Sequence, residues 1–232
     1  MPRTDLQTLQ ERKDFLQTIS ECAETPSKFS KIFLDHDVFD YNKKYVDCKD
    51  RFIVYRSGRQ VGKTMSTAVK AIHFAFFAPL MLKTVKHECT IVIAAPTQNQ
   101  AGIMFDRIRS LIINNKFLKG YVVRNTQTEM WVNFLDNTGM SKIVTRATGE
   151  HGTTLRGYSP HCIIADECSF IKTDILRAFL PSGMATLARV WLTSTPFSKS
   201  GYFFEACQNS KLKNPDGLWT EFHVKSTDNP LV

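Results

Sequence analysis

The chain has 232 residues, 43% hydrophobic and 22% charged, which are the proportions of one generous soluble globular domain able to bury a real core. Its 30 Lys and Arg against 22 Asp and Glu leave a net charge of +8, spread along the chain, which suits an anionic partner, nucleic acid first. The 6 cysteines lack C-x-x-C spacing and read as reduced thiols, and the 6 histidines lack ligand spacing. No apolar signal core opens the chain, and the longest apolar run, AIHFAFFAPLML (71–82), is too short to span a bilayer. These features speak against a disulfide scaffold, a structural metal and a membrane protein.

Thr4-x-x-Gln7 has the form of a capping box, and Leu6, Leu9, Leu16, Ile19 and Cys22 follow at helical intervals. An amphipathic helix is expected over 5–23, ended by Thr25-Pro26, and a second short one from Ser27 to about Leu34. Residues 1–38 thus form a helical N-terminal region. It packs on the main domain, covers a nucleotide site as a lid, or meets a partner. Residues 39–45 read as a loop in which Tyr41 and Asn42 are an aromatic and an amide suited to a purine.

The next stretch carries the chemistry. FIVYR (52–56) is rich in β-branched and aromatic residues and reads as a strand. Ser57, Gly58, Arg59, Gln60, Val61 and Gly62 form a turn, and Lys63 and Thr64 open a segment with Met65, Ala68, Val69, Ile72 and Phe76 on one face. Strand, glycine turn, Gly-Lys-Thr and helix make a P-loop. Amide N–H groups at a helix start face a polyphosphate, and the helix dipole favours an anion there. Gly62 lets the backbone close on the phosphates, Lys63 reaches the β/γ oxygens and the Thr64 hydroxyl holds Mg2+. The first glycine of the usual G-x-x-x-x-G-K-[ST] pattern is replaced by Ser57, with Gly58 one place late. An ordinary strand-to-helix turn with a surface lysine is the alternative.

The P-loop helix is expected to break at Pro79. TIVIAAPT (90–97) reads as a buried strand, and residues 98–115 as a helix with Ala101, Met104, Ile108, Leu111 and Ile112 on its apolar face and Arg107 and Arg109 along it. Three short strands follow, YVVR, MWVNFL and KIVTRA, with the turn DNTG (136–139) before the last. The alternation predicts an α/β fold: a mainly parallel central sheet with helices on both faces and a hairpin-like excursion here.

GEHGTTLRGYSP (149–160) is a polar loop leading to the apolar strand Cys162 to Ala165, which ends in Asp166-Glu167. Ligands of open α/β sheets bind beyond the carboxyl ends of strands, the edge at which the P-loop leaves its own strand. Asp166 suits Mg2+, and Glu167 suits the base that orients and deprotonates an attacking water. ILRAFL (175–180) belongs to a short helix. ARVWLTSTP (188–196) is the next strand, ending in Thr193, Ser194 and Thr195, whose hydroxyls either contact the γ-phosphate or cap a local turn. Residues 197–210 are a loop and helix, and LWTEFHVKS (218–226) is a last strand. The domain is placed at 39–226, with 227–232 as the opening of a linker.

GRQVGKT, the strand ending in Asp166-Glu167, and LTSTP, in this order, resemble the ATPase domain of the large terminase subunit of tailed viruses, a DNA-packaging motor. APTQNQA (95–101) and LRGYSP (155–160) resemble further segments of that family, over roughly residues 40–230. The resemblance implies a RecA-like P-loop NTPase of the additional-strand, catalytic-glutamate type, using ATP and Mg2+ to translocate double-stranded DNA. It implies phosphate and Mg2+ contacts from Arg59, Gly62, Lys63 and Thr64, Mg2+ binding by Asp166, catalysis by Glu167, and coupling through Thr193, Ser194 and Thr195. Arg156, with Arg107, Arg109 and Arg146 as alternatives, is a candidate arginine finger. Tyr41-Asn42 is the nearest match to the family's aromatic-Gln adenine motif. The implied partners are other copies in a ring on the capsid portal, the portal protein and the small terminase subunit, in the host cytoplasm at a procapsid. The family's C-terminal nuclease domain is not in this sequence, so no cleavage is expected of it. A helicase-like ATPase and a non-hydrolysing DNA- or capsid-docking module are the rivals.

Overall fold

The computed structural model describes residues 5–150, 152–155 and 157–230, with side chains from residue 11 onward. Three helices open the chain, α1 (Asp5–Glu24), α2 (Pro26–Phe33) and α3 (Asp40–Asp47). The capping residue Thr4 lies outside the described residues. Of segment 39–45, expected as a loop, Phe39 is instead the N-cap of α3 and residues 40–45 lie in the helix. Tyr45 and Val46 are fully buried at its helical spacing, so tertiary packing supplies what the polar sequence does not announce.

Next come β1 (Phe52–Ser57), α4 (Lys63–Met81), β2 (Glu88–Ala95) and α5 (Gln98–Ile113), then the strands β3 (Val122–Asn125), β4 (Glu129–Asn133) and β5 (Met140–Ala147). The chain continues through β6 (Cys162–Asp166), α6 (Thr173–Phe179), β7 (Arg189–Ser194), α7 (Tyr202–Gln208) and β8 (Thr220–Val224). Among the described residues they build one eight-stranded sheet in the order β3-β4-β5-β2-β6-β7-β1-β8. From β5 to β8 every pairing is parallel, while β3 and β4 add an antiparallel meander at one end.

Alternate strand residues point to opposite faces. Ile53, Tyr55, Ile91, Ile93, Ile164 and Trp191 meet the face covered by α4 and α5. Val54, Val92, Ala94, Ile163, Ala165 and Leu192 meet Leu176, Phe179 and Phe203 of α6 and α7. Burial on both faces explains why these strands are near-continuous apolar runs.

α4 does not break at Pro79 but runs on to Met81. A proline leaves the carbonyl four residues earlier without its helical donor. Here that carbonyl, Ala75 O, accepts a 2.6 Å hydrogen bond from the Ser141 hydroxyl of β5. The expected apolar face of α1 is only partly used: Cys22 is buried, but Leu16 is 61% exposed. The end of α1 docks where His73 Nε2 meets Cys22 O at 2.8 Å, ten residues or about 15 Å along α4 from Lys63. The described cysteines are all free, five of them buried. No described helix is long and apolar enough to cross a membrane.

Candidate active site

Two strand ends meet at the centre of the sheet. β7 lies between β1 and β6, so the strand that leads into the glycine turn and the strand ending in Asp166 are separated by one strand. All three are parallel, so their carboxyl ends share one edge. In register, Asp166 stands beside Thr193, and Tyr55 stands beside Thr193 on its other side.

Residues 58–65 wrap a cavity of about 350 Å³ that Arg107, Glu167 and Thr195 also line. Gln60 and Gly62 both have positive φ, 61° and 74°. Left-handed residues at alternate positions leave successive N–H groups facing one concavity, an anion-binding arrangement. None of the amide N–H groups from Arg59 to Thr64 has an acceptor among the described residues. Ser66 N is the first that does, bonded to Gly62 O at 2.9 Å. Gly58 explains the shifted glycine. A Cβ there would fall 2.5 Å from the backbone nitrogen of Ser226, so the close approach of chain requires glycine at 58. Ser57 ends β1, buried beside Val224.

Into this cavity the sheet edge brings Glu167, the residue after Asp166 at the end of β6. Lys63 Nζ donates to Glu167 Oε1 at 2.7 Å and lies 3.6 Å from Asp166 Oδ1. Lys63 is 8% exposed and Asp166 4%, so the ammonium and the carboxylate meet in a water-poor place. The Thr193 hydroxyl donates to Asp166 Oδ1 at 2.6 Å, and Thr195 Oγ1 lies 3.5 Å from Glu167 Oε2. Glu167 has φ 49°, a left-handed turn directly after β6. For a non-glycine residue this is sparsely populated and clusters at functional sites. Ser169, two residues on, donates its N–H to Ser194 Oγ at 3.1 Å and its hydroxyl to Thr195 O at 3.0 Å. The turn after β6 and the hydroxyl-rich end of β7 therefore form one hydrogen-bonded unit. Nothing in the sequence singled out Ser169.

A divalent cation fits the donor set. Thr64 lines the cavity beside Lys63, whose Nζ lies 3.6 Å from Asp166 Oδ1, and no three His, Cys, Asp or Glu side chains converge on a metal position among the described residues. A cation that takes one or two protein oxygens and completes its shell with phosphate and water matches that chemistry, which is the habit of Mg2+.

The other candidates separate. Of the arginines, Arg59 and Arg107 line the cavity. Arg109 pairs with Asp106 at 2.7 Å, and Arg146 with Glu129 at 2.8 Å. Arg156 lies outside the described residues. Asn42 is fully buried, its Nδ2 donating to Val61 O at 2.8 Å and its Oδ1 accepting from the Tyr55 hydroxyl at 2.5 Å. Tyr41 stacks on Phe39 at 5.3 Å between ring centroids. Phe39 is 41% exposed, and its ring would lie 3.5 Å from a Cβ at Gly62. That aromatic neighbour of the loop was not singled out in the sequence, although it lies just before the Tyr41-Asn42 pair. Asn229, taken from sequence as part of a linker, donates Nδ2 to Gln60 O at 2.7 Å.

Comparison with known proteins bears on the family and the fold. A family model described as terminase large subunit, T4likevirus-type, N-terminal, matches residues 54–209. No curated protein matches the sequence. The large terminase ATPase domain of Thermus phage P74-26 superposes with a TM-score of 0.71 at 21% identity, covering 88% of this chain and 87% of that one. The HK97 bacteriophage large terminase gives 0.68 at 16% identity, covering 87% of this chain and 43% of that one. A large terminase from a thermophilic bacteriophage gives 0.64 at 13%, covering 85% and 48%. At these identities the likeness is one of fold. It is the RecA-like arrangement expected from the sequence, with β7 between β1 and β6.

Proposed function

The chain belongs to the terminase large-subunit family, and from that premise we propose that it is the motor ATPase of a viral DNA-packaging machine, binding Mg2+ and ATP in the loop between β1 and α4. The observation that carries this reading is the meeting of Lys63, Asp166 and Glu167 at a loop whose N–H groups from Arg59 to Thr64 lack acceptors among the described residues. Solved structures of the same thermophilic bacteriophage's large terminase with ADP and with ATP-gamma-S, of the same fold, support a nucleotide as the ligand.

In this reading the loop amides hold the β- and γ-phosphates, and Lys63 shifts from Glu167 to the γ-phosphate oxygens. Thr64 and Asp166 would hold Mg2+, which would supply positive charge against that of the phosphates. Glu167, released from the ammonium, orients a water in line with the γ-phosphate and accepts its proton as the P–O bond to the leaving ADP breaks. Arg59 and Arg107 stand where an arginine would meet developing charge. Arg156 remains a candidate in cis or from a neighbouring copy, a contribution worth roughly 10³ to 10⁵ in rate. Thr193, Ser194 and Thr195 carry the change at the phosphates through Asp166, Glu167 and Ser169 to the rest of the sheet. Phe39, stacked on Tyr41, is the aromatic beside the loop that a base would meet, whereas Asn42, fully buried with both amide atoms bonded to Val61 and Tyr55, supports the loop from within.

Double-stranded DNA is the cargo, which the +8 charge suits. Copies in a ring on the portal of a procapsid, together with a small terminase subunit, are the assembly that this reading implies in the host cytoplasm. The direct test is Mg2+-dependent phosphate release from ATP by the 232-residue chain, with double-stranded DNA present and Lys63→Ala as the control. Release above that control supports the reading. Release equal to it, at saturating ATP, overturns it.

A further inference from the structure

The phosphate loop is held from outside by two asparagines that belong to different parts of the chain. Asn42 of α3 donates Nδ2 to Val61 O at 2.8 Å, and Asn229, beyond β8, donates Nδ2 to Gln60 O at 2.7 Å. These carbonyls belong to successive peptide units, 60–61 and 61–62. No described peptide bond is cis, and in a trans peptide the C=O and N–H point in opposite directions. A carbonyl fixed outward therefore fixes the next N–H inward. Asn229 sets the N–H of Val61 and Asn42 sets that of Gly62, both in the run without acceptors among the described residues.

Gln60 makes the arrangement costly to hold without help. Its φ of 61° is left-handed, a strained conformation for a residue with a Cβ. The bond from Asn229 falls on that same residue's carbonyl. Two further contacts tie the same segment to the loop. Gly58 N donates to Val224 O at 2.8 Å, and the main chain at Ser226 fills the space a Cβ at Gly58 would need. Asn229 is 7% exposed and Asn42 fully buried, so water competes weakly for either bond.

We propose that Asn42 and Asn229 are positioning residues that aim the Val61 and Gly62 amides at the bound phosphates. Through Asn229, the loop's affinity for phosphate is linked to the placement of segment 225–229. Linkage is reciprocal: if docking of the segment strengthens phosphate binding, phosphate binding strengthens docking of the segment. The motor then has a mechanical output beside its active site, separate from the Thr193–Thr195 end of β7. This inference rests on the nucleotide reading of the loop given above.

The test uses the full chain, Mg2+ and ADP. Wild type is measured first, by calorimetric affinity and by hydrogen exchange of residues 225–230 with and without nucleotide. The expected result is binding, with slower exchange in 225–230 when nucleotide is present. Asn229→Leu, which keeps the bulk and removes the donor without adding charge, and Asn229→Ala should each bind ADP about five- to tenfold more weakly, the scale of one lost hydrogen bond. In both variants the melting temperature without nucleotide should stay close to that of wild type. The rise on adding nucleotide should shrink, and the exchange of 225–230 should no longer respond. A purely structural asparagine would lower the first temperature and leave the nucleotide-dependent rise intact. Wild type that binds ADP with no change in exchange at 225–230 overturns the linkage without any variant. Variants that bind ADP as tightly as wild type overturn the positioning role. Wild type that fails to bind ADP overturns the nucleotide reading itself, an outcome told apart because it needs no variant.

Discussion

Lys63 Nζ and Glu167 Oε1 lie 2.7 Å apart although 104 positions separate them in the chain. The pair joins the start of α4 to the turn after β6, across the intervening strand β7. Lys63 is also 3.6 Å from Asp166 Oδ1, so one ammonium serves two carboxylates. In the function proposed above, a triphosphate in the loop would compete for that ammonium and, in taking it, would free Glu167 to act on water, so that substrate binding and activation of the base would be one event.

Glu167→Gln separates those two events. The amide keeps the shape but cannot take a proton, so nucleotide binding should persist while turnover falls by about 10² to 10⁴. Steady-state phosphate release together with nucleotide titration measures both. Wild-type turnover in this variant would remove Glu167 from its role. Lys63→Ala should instead weaken nucleotide binding itself, because the loop loses the ammonium that reaches both acids.

Thr193→Val tests the end of β7. The hydroxyl donates to Asp166 Oδ1 at 2.6 Å with both groups buried, and hydrogen bonds to charged groups contribute about 1.5–3 kcal/mol. Valine keeps the packing and leaves Asp166 without that donor. The Mg2+ concentration for half-maximal phosphate release should rise about tenfold, with ATP binding in the absence of Mg2+ unchanged. An unchanged Mg2+ titration would show that Thr193 does not orient the metal-binding oxygen.

His73 sets a pH dependence of stability. Burial lowers its pKa from 6.5 to about 3, against the opposing hydrogen bond to Cys22 O. The folded state therefore holds the ring neutral, while the unfolded chain takes up a proton below about pH 6.5. Stability from this residue is fully present above 6.5 and is lost as pH falls toward 3. By pH 5 the loss should reach about 2 kcal/mol, read from urea unfolding at pH 7 and pH 5. His73→Gln should flatten this part of the profile. An equal slope in that variant would assign the acid sensitivity to other groups.

Much of the site was legible because its signals are local. A β-branched run, a glycine turn and Gly-Lys-Thr before a helical face need only about 25 residues to be read, and Asp166-Glu167 stands out because an apolar strand runs into two charges. Elements without such signals were misread or went unseen. α3 is polar and short, and only the burial of Tyr45 and Val46 makes it a helix. α4 passes Pro79 because a hydroxyl far along the chain, on Ser141, takes up the stranded carbonyl. Gln60 and Glu167 adopt left-handed turns that residues with side chains rarely announce. Asn42 and Asn229 act through carbonyls far away in the sequence.

By itself the sequence determined the reagents: a glycine turn running into Lys63 and Thr64, two acids after a buried strand, and the α/β alternation that puts both at strand ends. The tertiary structure alone decided their mutual placement. It inserted β7 between β1 and β6, brought Lys63 onto Glu167, and folded the segment after β8 back on the phosphate loop. The physical reason is range. Propensity and turn chemistry act within a few residues, whereas strand order follows from burying both faces of the whole sheet at once.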